Sequence, residues 1–366
     1  MNNADNLSLV NGRLSAVRER LAEWEVDGLL ISSEFNRRWV SGFTGSAGFA
    51  LITADRAWLA TDFRYWAQAT QQAPAFTLVK LPADQQEGFK QMVAAAGVHR
   101  IGVEAQHVNL SQLAGWRKIK GIKWVALAKT VEPLREIKTT WELGLIKAAA
   151  AVTDQAMSRV YDLARPGLTE KALAWELEKA LREGGADDKA FTVIVASGRN
   201  AGLPHHRPDS RPLQAGDSLV IDMGAMVGGY RSDLTRSFYL GRDPDEKYWE
   251  IYNLVWQAQQ AALAGMRGDM TGKEIDALAR SVIVAAGFGD SFGHSLGHGV
   301  GLEVHEEPRL ATTREKERIS AGTVVTVEPG IYLPEWGGVR LEDLVLVTEN
   351  GPELLSHAPK EPAIGW

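Results

Sequence analysis

Two stretches of this chain, 106 residues apart, follow one pattern. Ala215-Gly216-Asp217-Ser218-Leu219-Val220-Ile221-Asp222-Met223-Gly224 echoes Ala321-Gly322-Thr323-Val324-Val325-Thr326-Val327-Glu328-Pro329-Gly330. In each, an apolar run of strand composition ends on a carboxylate, Asp222 or Glu328. A pair of glycines suited to a reversal follows, Gly228-Gly229 or Gly337-Gly338, and then a second carboxylate, Asp233 or Glu342, where the returning strand should begin. Two such hairpins facing one another bring four carboxylates together. Like charges taken out of water repel and are costly to desolvate, and divalent cations are the natural compensation. Taken singly, each of these residues fits a solvent-exposed turn as well, and an echo this loose also arises by chance.

The rest of the composition narrows the chemistry. With 366 residues the chain exceeds one ordinary compact domain, so two domains are expected. A net charge of -6 offers no basic surface for phosphates, which speaks against nucleic acid as a partner. There is no cysteine, so any metal must be held by nitrogen and oxygen. The N-terminus has no basic segment followed by an apolar core and reads as an amphipathic helix over residues 7–24 rather than a signal peptide. The longest apolar stretches, such as residues 281–288, are too short to span a membrane. A cytoplasmic protein without a membrane partner is the expectation.

From residue 27 to about 132, short apolar runs (GLLIS, GFALIT, RAWLATD, FTLVKL, RIGVEA, KWVALA) alternate with helical patterns, as in an α/β domain. The register changes near residue 135. A long helical pattern then covers residues 141–165 and stops at Pro166-Gly167, a second covers 169–184, and a third 245–267. Between and after them lie strand-like runs with hairpin signals, so this half reads as α+β with mostly antiparallel strands.

Histidine is unevenly placed. Of eight, three stand at His294, His298 and His305 in GHSLGHGVGLEVHEEP, and two at His205 and His206 in LPHHRP. The H-x-x-x-H spacing of His294 and His298 lacks the glutamate base of a helical zinc site, having Ser295 instead, and its glycines argue against helix; an irregular or extended segment is expected. His99, His107 and His357 read as structural or surface residues, while His206 stays open between the two roles.

Together GHGVGLEVHEEP, TVEPGIY, VRLEDLVLVT and IDMGAMVGGYRSDLTR resemble the pita-bread metallopeptidases, in the proline-specific branch of Xaa-Pro aminopeptidases and Xaa-Pro dipeptidases. GFTGSAG and LATDFRYWAQA resemble the N-terminal domain of the same branch. The resemblance implies an α+β chain with a smaller α/β creatinase-like N-terminal domain, residues 1–135, and a C-terminal pita-bread (creatinase/aminopeptidase-like) catalytic domain, residues 136–366. It implies five ligands for two divalent metal ions: Asp222, Asp233, His298, Glu328 and Glu342. Asp233 and Glu342 would bridge the ions, Asp222 would chelate one, and His298 with Glu328 would complete the other. Such an oxygen-rich set with one imidazole suits Mn²⁺ first, with Co²⁺ or Zn²⁺ possible.

By the same resemblance Glu328 shuttles a proton, His305 hydrogen-bonds the reacting carbonyl, and His205 with His294 holds the proline side of the substrate. Arg340 would orient Glu342 or the substrate, or else form an exposed salt bridge. The short length favours a small bacterial aminopeptidase P acting on peptides with proline at the second position, with an Xaa-Pro dipeptidase as the alternative. A methionine aminopeptidase and a non-enzymatic pita-bread binding protein are further off. A homodimer is implied by resemblance alone. Arg37 and Arg38, with the GFTGSAG loop, are expected near the catalytic mouth, where a cation would cap a free proline carboxylate; paired surface arginines are the plainer reading.

Overall fold

The early apolar runs become a single mixed sheet in the computed structural model, which describes residues 3–82 and 84–365. Strands β1 (Gly28–Ile31), β2 (Phe49–Thr53), β3 (Ala57–Thr61), β4 (Thr77–Lys80), β5 (Arg100–Glu104) and β6 (Lys123–Leu127) lie in the order β4-β3-β2-β1-β5-β6. The helices of this stretch are α1 (Asn3–Glu19), α2 (Glu34–Ser41), α3 (Trp66–Gln72), α4 (Gln85–Ala96), α5 (Leu110–Trp116) and α6 (Glu132–Glu136). Because α1 and α2 pack against β2 while α4 and α5 enclose Phe89, Met92 and Trp116 on the opposite face, the central strands are buried on both sides. They therefore read as continuous apolar runs rather than alternating ones. Helix α1 stops earlier than its periodicity, since residues 20–25 form successive turns ending at Glu25 with φ 52°.

This first unit, Met1–Arg135, carries a buried polar knot. Glu104, at the end of β5, accepts from the Ser32 and Ser33 N–H groups, the Ser32 hydroxyl and the Asn36 amide. Asn36 also donates to Glu132, and its oxygen accepts from Arg135. Arg37 is equally committed: it is buried, and its two terminal nitrogens donate to Gly48 O at 2.8 Å and Gly45 O at 2.6 Å. Its charge holds the GFTGSAG loop in shape, so the solvated-cation reading does not apply to it; Arg38 is half-buried.

The second unit, Glu136–Trp366, repeats one plan twice. In its first half α7 (Thr140–Ser158), α8 (Val160–Leu163) and α9 (Glu170–Glu183) precede β7 (Asp188–Lys189), β8 (Ile194–Ser197), β9 (Ser218–Met223), β10 (Ala225–Val227), β11 (Tyr230–Arg231) and β12 (Leu234–Leu240). In its second half α10 (Glu246–Gly265) and α11 (Gly272–Ala285) precede β13 (Gly297–Gly299), β14 (Glu306–Leu310), β15 (Val324–Val327), β16 (Gly330–Leu333), β17 (Gly337–Arg340), β18 (Asp343–Thr348) and β19 (Gly351–Leu354). The last strand, β20 (Ala363–Ile364), returns to β12. The long helix expected over residues 141–165 is instead two, because Arg159 caps α7.

Antiparallel β9/β12 is the centre of one sheet and β15/β18 of the other. Each pair is joined by an excursion, β10/β11 or β16/β17. The first turns through Gly228 (φ 55°) and Gly229 (φ 82°), two left-handed residues that a two-residue hairpin matched to strand twist requires. Each half has its own core, one between α7–α9 and β8, β9 and β12, the other between α10, α11 and the second sheet. The α/β first unit and mostly antiparallel second unit agree with the sequence reading.

Glu132 yields a pH prediction. Burial raises its pKa, but His107, the Thr130 N–H and the Asn36 amide outweigh that and bring it from 4.5 down to about 2. A depressed carboxylate stabilises the fold fully above its unfolded pKa, and that share is lost as pH falls from about 4.5 through about 2. At about 1.4 kcal/mol per unit the contribution is on the order of 3 kcal/mol. Glu132→Gln should lower the urea midpoint at pH 7 and flatten its decline between pH 5 and pH 3; an unchanged acid slope refutes the assignment.

Candidate metal centre

The four carboxylates stand where the two ladders end. Asp222 is the penultimate residue of β9 and Asp233 immediately precedes β12; Glu328 immediately follows β15 and Glu342 immediately precedes β18. His298 is the middle residue of β13, squeezed between β14 and β15. Its neighbours must be glycine: a Cβ on Gly297 would lie 2.0 Å from Thr326 O, and one on Gly299 would lie 2.2 Å from Glu307 O. The extended segment read from the glycines is therefore a strand that only glycine lets into the sheet.

Asp233, His298 and Glu342 offer ligand atoms that all lie within 4.8 Å of one another. His298 Nε2 is 3.3 Å from Glu328 Oε1 and 3.6 Å from Asp233 Oδ2. Its Nδ1 is 3.1 Å from Gly299 O, and a proton placed there leaves the Nε2 lone pair facing the carboxylates, as a ligating imidazole needs. Asp222 receives Arg340 Nη2 on Oδ2 at 2.7 Å, while its buried Oδ1 has no partner.

The electrostatics sort the four acids. Burial, then Glu342 and Asp222, pushes Asp233 well above the carboxylate range; burial, then Glu328 and Asp222, does the same to Glu342. Asp222 is also raised by burial, against the pull of Arg340. Glu328 alone falls, to about 2, because contact with His298 overcomes its burial. Acidic oxygens that disfavour joint ionisation, an orphaned carboxylate oxygen and one imidazole make a donor set that fits divalent cations.

Arg340 is not an exposed salt bridge. It is buried, and besides Asp222 it donates to Thr235 Oγ1 at 2.9 Å and Tyr332 Oη at 2.8 Å. The Thr235 hydroxyl in turn donates to Glu342 Oε2 at 2.7 Å, so Arg340 reaches Glu342 through Thr235. Tyr332 Oη also meets His294 Nε2 at 2.9 Å, and His294 Nδ1 meets Ser295 O at 2.8 Å. Both ring nitrogens of His294 are therefore engaged within the protein. Thr235, Thr326 and Tyr332 were missed by motif reasoning, although two carried a signal: Thr326 and Thr235 stand two residues from Glu328 and Asp233, on the same strand face.

His206 turns out to be a support. Its Nε2 lies 2.7 Å from Oε2 of the fully buried Glu170, which also accepts from Ser197 and from the Asp209 N–H. Glu170, His206 and Asp209 lie within ligand distance of each other, but Glu170 is already saturated with donors. The pair fastens the LPHHRP loop and leaves His205 exposed on the cleft wall. That cleft, about 460 Å³, is also lined by Phe191, Ile194, Arg207, His305 and Arg309. The His305 ring lies 4.1 Å from that of His298, and its pKa is lowered to about 4 by desolvation and by His298, which keeps it neutral near pH 7.

Comparison with known proteins follows the division into units. Residues 144–349 match metallopeptidase family M24, and residues 13–137 match the creatinase/prolidase N-terminal domain. The chain is 38% identical to the Xaa-Pro dipeptidase structure from Bacillus anthracis, covering 97% of this chain and 99% of that one, with a TM-score of 0.94. The Xaa-Pro dipeptidase of Pyrococcus furiosus is 34% identical over 95% of this chain and 99% of its own length. The X-Pro aminopeptidase structure from Thermotoga maritima is 33% identical, over 96% and 100% of the two chains, at a TM-score of 0.88.

Thr235→Val tests the hydrogen-bonded chain. Losing the hydroxyl strips the buried Arg340 Nε of its acceptor and Glu342 of its donor, and should cost about 1–3 kcal/mol of stability. Chemical denaturation reads this directly, and a loss below about 0.5 kcal/mol would show that the hydroxyl holds neither group.

Proposed function

The chain belongs to metallopeptidase family M24, and on that premise we propose that it is a two-metal Xaa-Pro dipeptidase, with Asp222, Asp233, His298, Glu328 and Glu342 as ligands. The aminopeptidase reading preferred from chain length and motifs is less well supported than its dipeptidase alternative, because the Xaa-Pro dipeptidases of Bacillus anthracis and Pyrococcus furiosus are 38% and 34% identical, against 33% for the Thermotoga maritima aminopeptidase. The observation that carries the proposal is Arg309. In the register of β13 with β14 it stands directly opposite His298, so it emerges on the face that bears the proposed metal ligand, and it lines the cleft. Among the described residues its guanidinium has no acceptor. A free cation at that place suits the carboxylate of a C-terminal proline. Arg207, exposed on the same wall, adds to the positive field.

Manganese is the first choice for the metal on the donor set. When bound, divalent ions supply Lewis-acid polarisation of the scissile carbonyl and lower the pKa of water. The protein's own groups do the rest. Both contacts of Glu328, from Thr326 Oγ1 and His298 Nε2, fall on Oε1. Its Oε2 is left to take a proton from the attacking water and deliver it to the proline nitrogen as the C–N bond breaks. Neutral His305 donates to the carbonyl oxygen as it gains charge. His205, Phe191 and Ile194 enclose the ring, which needs shape rather than an N–H partner because the bond is a tertiary amide. Cytoplasmic location and a homodimer remain part of the proposal; among the described residues no helix is long and apolar enough to cross a membrane.

Three measurements check it. Asp233→Ala or Glu342→Ala should abolish both activity and the binding of two metals per chain, and activity retained with one metal refutes the dinuclear reading. His305→Ala should lower kcat on the order of 10²- to 10³-fold with metal content unchanged; loss of metal would make it a ligand. The wild type should split Ala-Pro at least about 10-fold more efficiently than it releases Ala from Ala-Pro-Ala, and Arg309→Ala should raise KM for the dipeptide about 10-fold or more. Equal or faster cleavage of the tripeptide returns the aminopeptidase reading, which the Thermotoga maritima relative favours.

A further inference from the structure

The second hairpin's ladder breaks where its glutamates emerge. β15 and β18 pair as far as Val327 opposite Asp343, and the next pairing, Gly330 opposite Arg340, belongs to β16/β17. Buried carbonyls at such a break need a donor from elsewhere. One side-chain amide supplies it: Gln259 Nε2, from α10, reaches Val327 O at 3.2 Å and Leu341 O at 3.1 Å. These carbonyls belong to the residues immediately before Glu328 and Glu342.

Gln259 is 0% exposed, beside Val255, Ala258 and Ala262 on the core side of α10, and its Oε1 has no partner. An amide with an orphaned oxygen is an unfavourable way to fill a packing position that Met or Leu would fill without that penalty. The first half places a polar side chain at the matching point, 106 residues earlier. Thr153 on α7, also buried, accepts from the Ala225 N–H at 2.9 Å and meets Ser232 Oγ at 2.8 Å. Ala225 lies just past the end of β9/β12 pairing, and Ser232 immediately precedes Asp233. In both halves a helix-borne polar group therefore ties together the two arms of a carboxylate-bearing hairpin.

We propose that Gln259 is a positioning residue for the metal centre: by fastening the backbone before Glu328 and before Glu342 to α10, it sets the spacing of these two carboxylates. The inference rests on the reading that both glutamates hold metal. Its consequence is a separable effect on metal affinity, beyond any effect on the core.

Gln259→Met keeps the side chain's length and removes its donor; Gln259→Leu is the second variant should the first not fold. Val255→Ala, one turn earlier on the same buried face, loosens α10 without touching either carbonyl. Mn²⁺ is titrated calorimetrically into each chelator-treated protein, and the melting temperature is read with and without Mn²⁺. The Gln259 variants are expected to bind at least one Mn²⁺ roughly 10- to 100-fold more weakly and to gain less Tm from it, while Val255→Ala loses Tm but binds as wild type does. Wild-type Mn²⁺ affinity in the Gln259 variants overturns the proposal, as does equal weakening in Val255→Ala. Glu342→Ala separates the two readings: if it still binds two Mn²⁺ as tightly as wild type, the ligand assignment itself fails, whereas its loss beside an indifferent Gln259→Met sinks only the positioning role.

Discussion

Mutual repulsion among four carboxylates at the ends of two strand pairs is the constraint around which the second unit is arranged. Asp233 is 5% exposed and Glu342 2% exposed, so solvent screens them little. The chain gives the four unequal partners. Asp222 has Arg340, and Glu328 has His298 at 3.3 Å. Among the described residues the contacts of these other two are weaker: Asp233 has the more distant His298 Nε2, and Glu342 a neutral hydroxyl. These last two are the carboxylates whose pKa values stand well above their ordinary range. They are also the pair proposed to bridge, and a bridging carboxylate needs two external cations where a terminal one needs a single cation. The pattern of partners within the chain thus matches the pattern of charge expected from outside it.

Holding such groups together requires a frame that cannot relax them apart. An antiparallel pair is stiff where it is laddered, and the four acids sit just at the limits of the ladders, where backbone direction is still fixed but side chains are free of the pleat. The ladder limits leave backbone groups to be satisfied, and helices satisfy them through Thr153 and Gln259. Supports from outside the hairpins converge in the same way. Arg280 on α11 donates to Phe292 O and His294 O and pairs with Asp276, which accepts from the Leu296 N–H, so the strand bearing His298 begins from a fixed point. Glu170 does this for the loop that carries His205.

Much of this was readable in the sequence because charge at a strand end is a local signal. The apolar runs, the glycine reversals and the 106-residue echo could be seen without a partner in view, and they gave the two hairpins. The glycines around His298 told extended from helical, though not that they admit a strand into the middle of a sheet. What stayed hidden depended on distance in sequence. Arg340 could be read as an orienting residue or as an exposed salt bridge, because its partner Asp222 is 118 residues away. His206 stayed open between a functional and a structural role, since the deciding neighbour is Glu170 on a helix 36 residues earlier. Tyr332 and Gln259 carry no pattern of their own, since an isolated polar residue within an apolar helix or strand is silent until its backbone acceptors or ring partners are placed.

The same distinction bears on specificity. Relatives named dipeptidase and aminopeptidase share this fold over almost the whole chain, so the reacting centre does not tell them apart. Discrimination has to come from groups that meet the far side of the proline, and a binding cation there gains most when it is fixed relative to the ligands rather than carried on a mobile loop. Arg309 meets that condition through strand register. Alternation along β14 puts it on the same face as His298, and a slip of one residue in the pairing would send it to the opposite face. The pairing irregularity between His298 and Gly299 falls just after that position, leaving Arg309 opposite the histidine while the chain beyond turns to present His305. One short ladder thereby sets His298 and Arg309 side by side on the cleft wall, with His305 close behind, which is the arrangement that the proposed choice of a substrate ending at proline calls for.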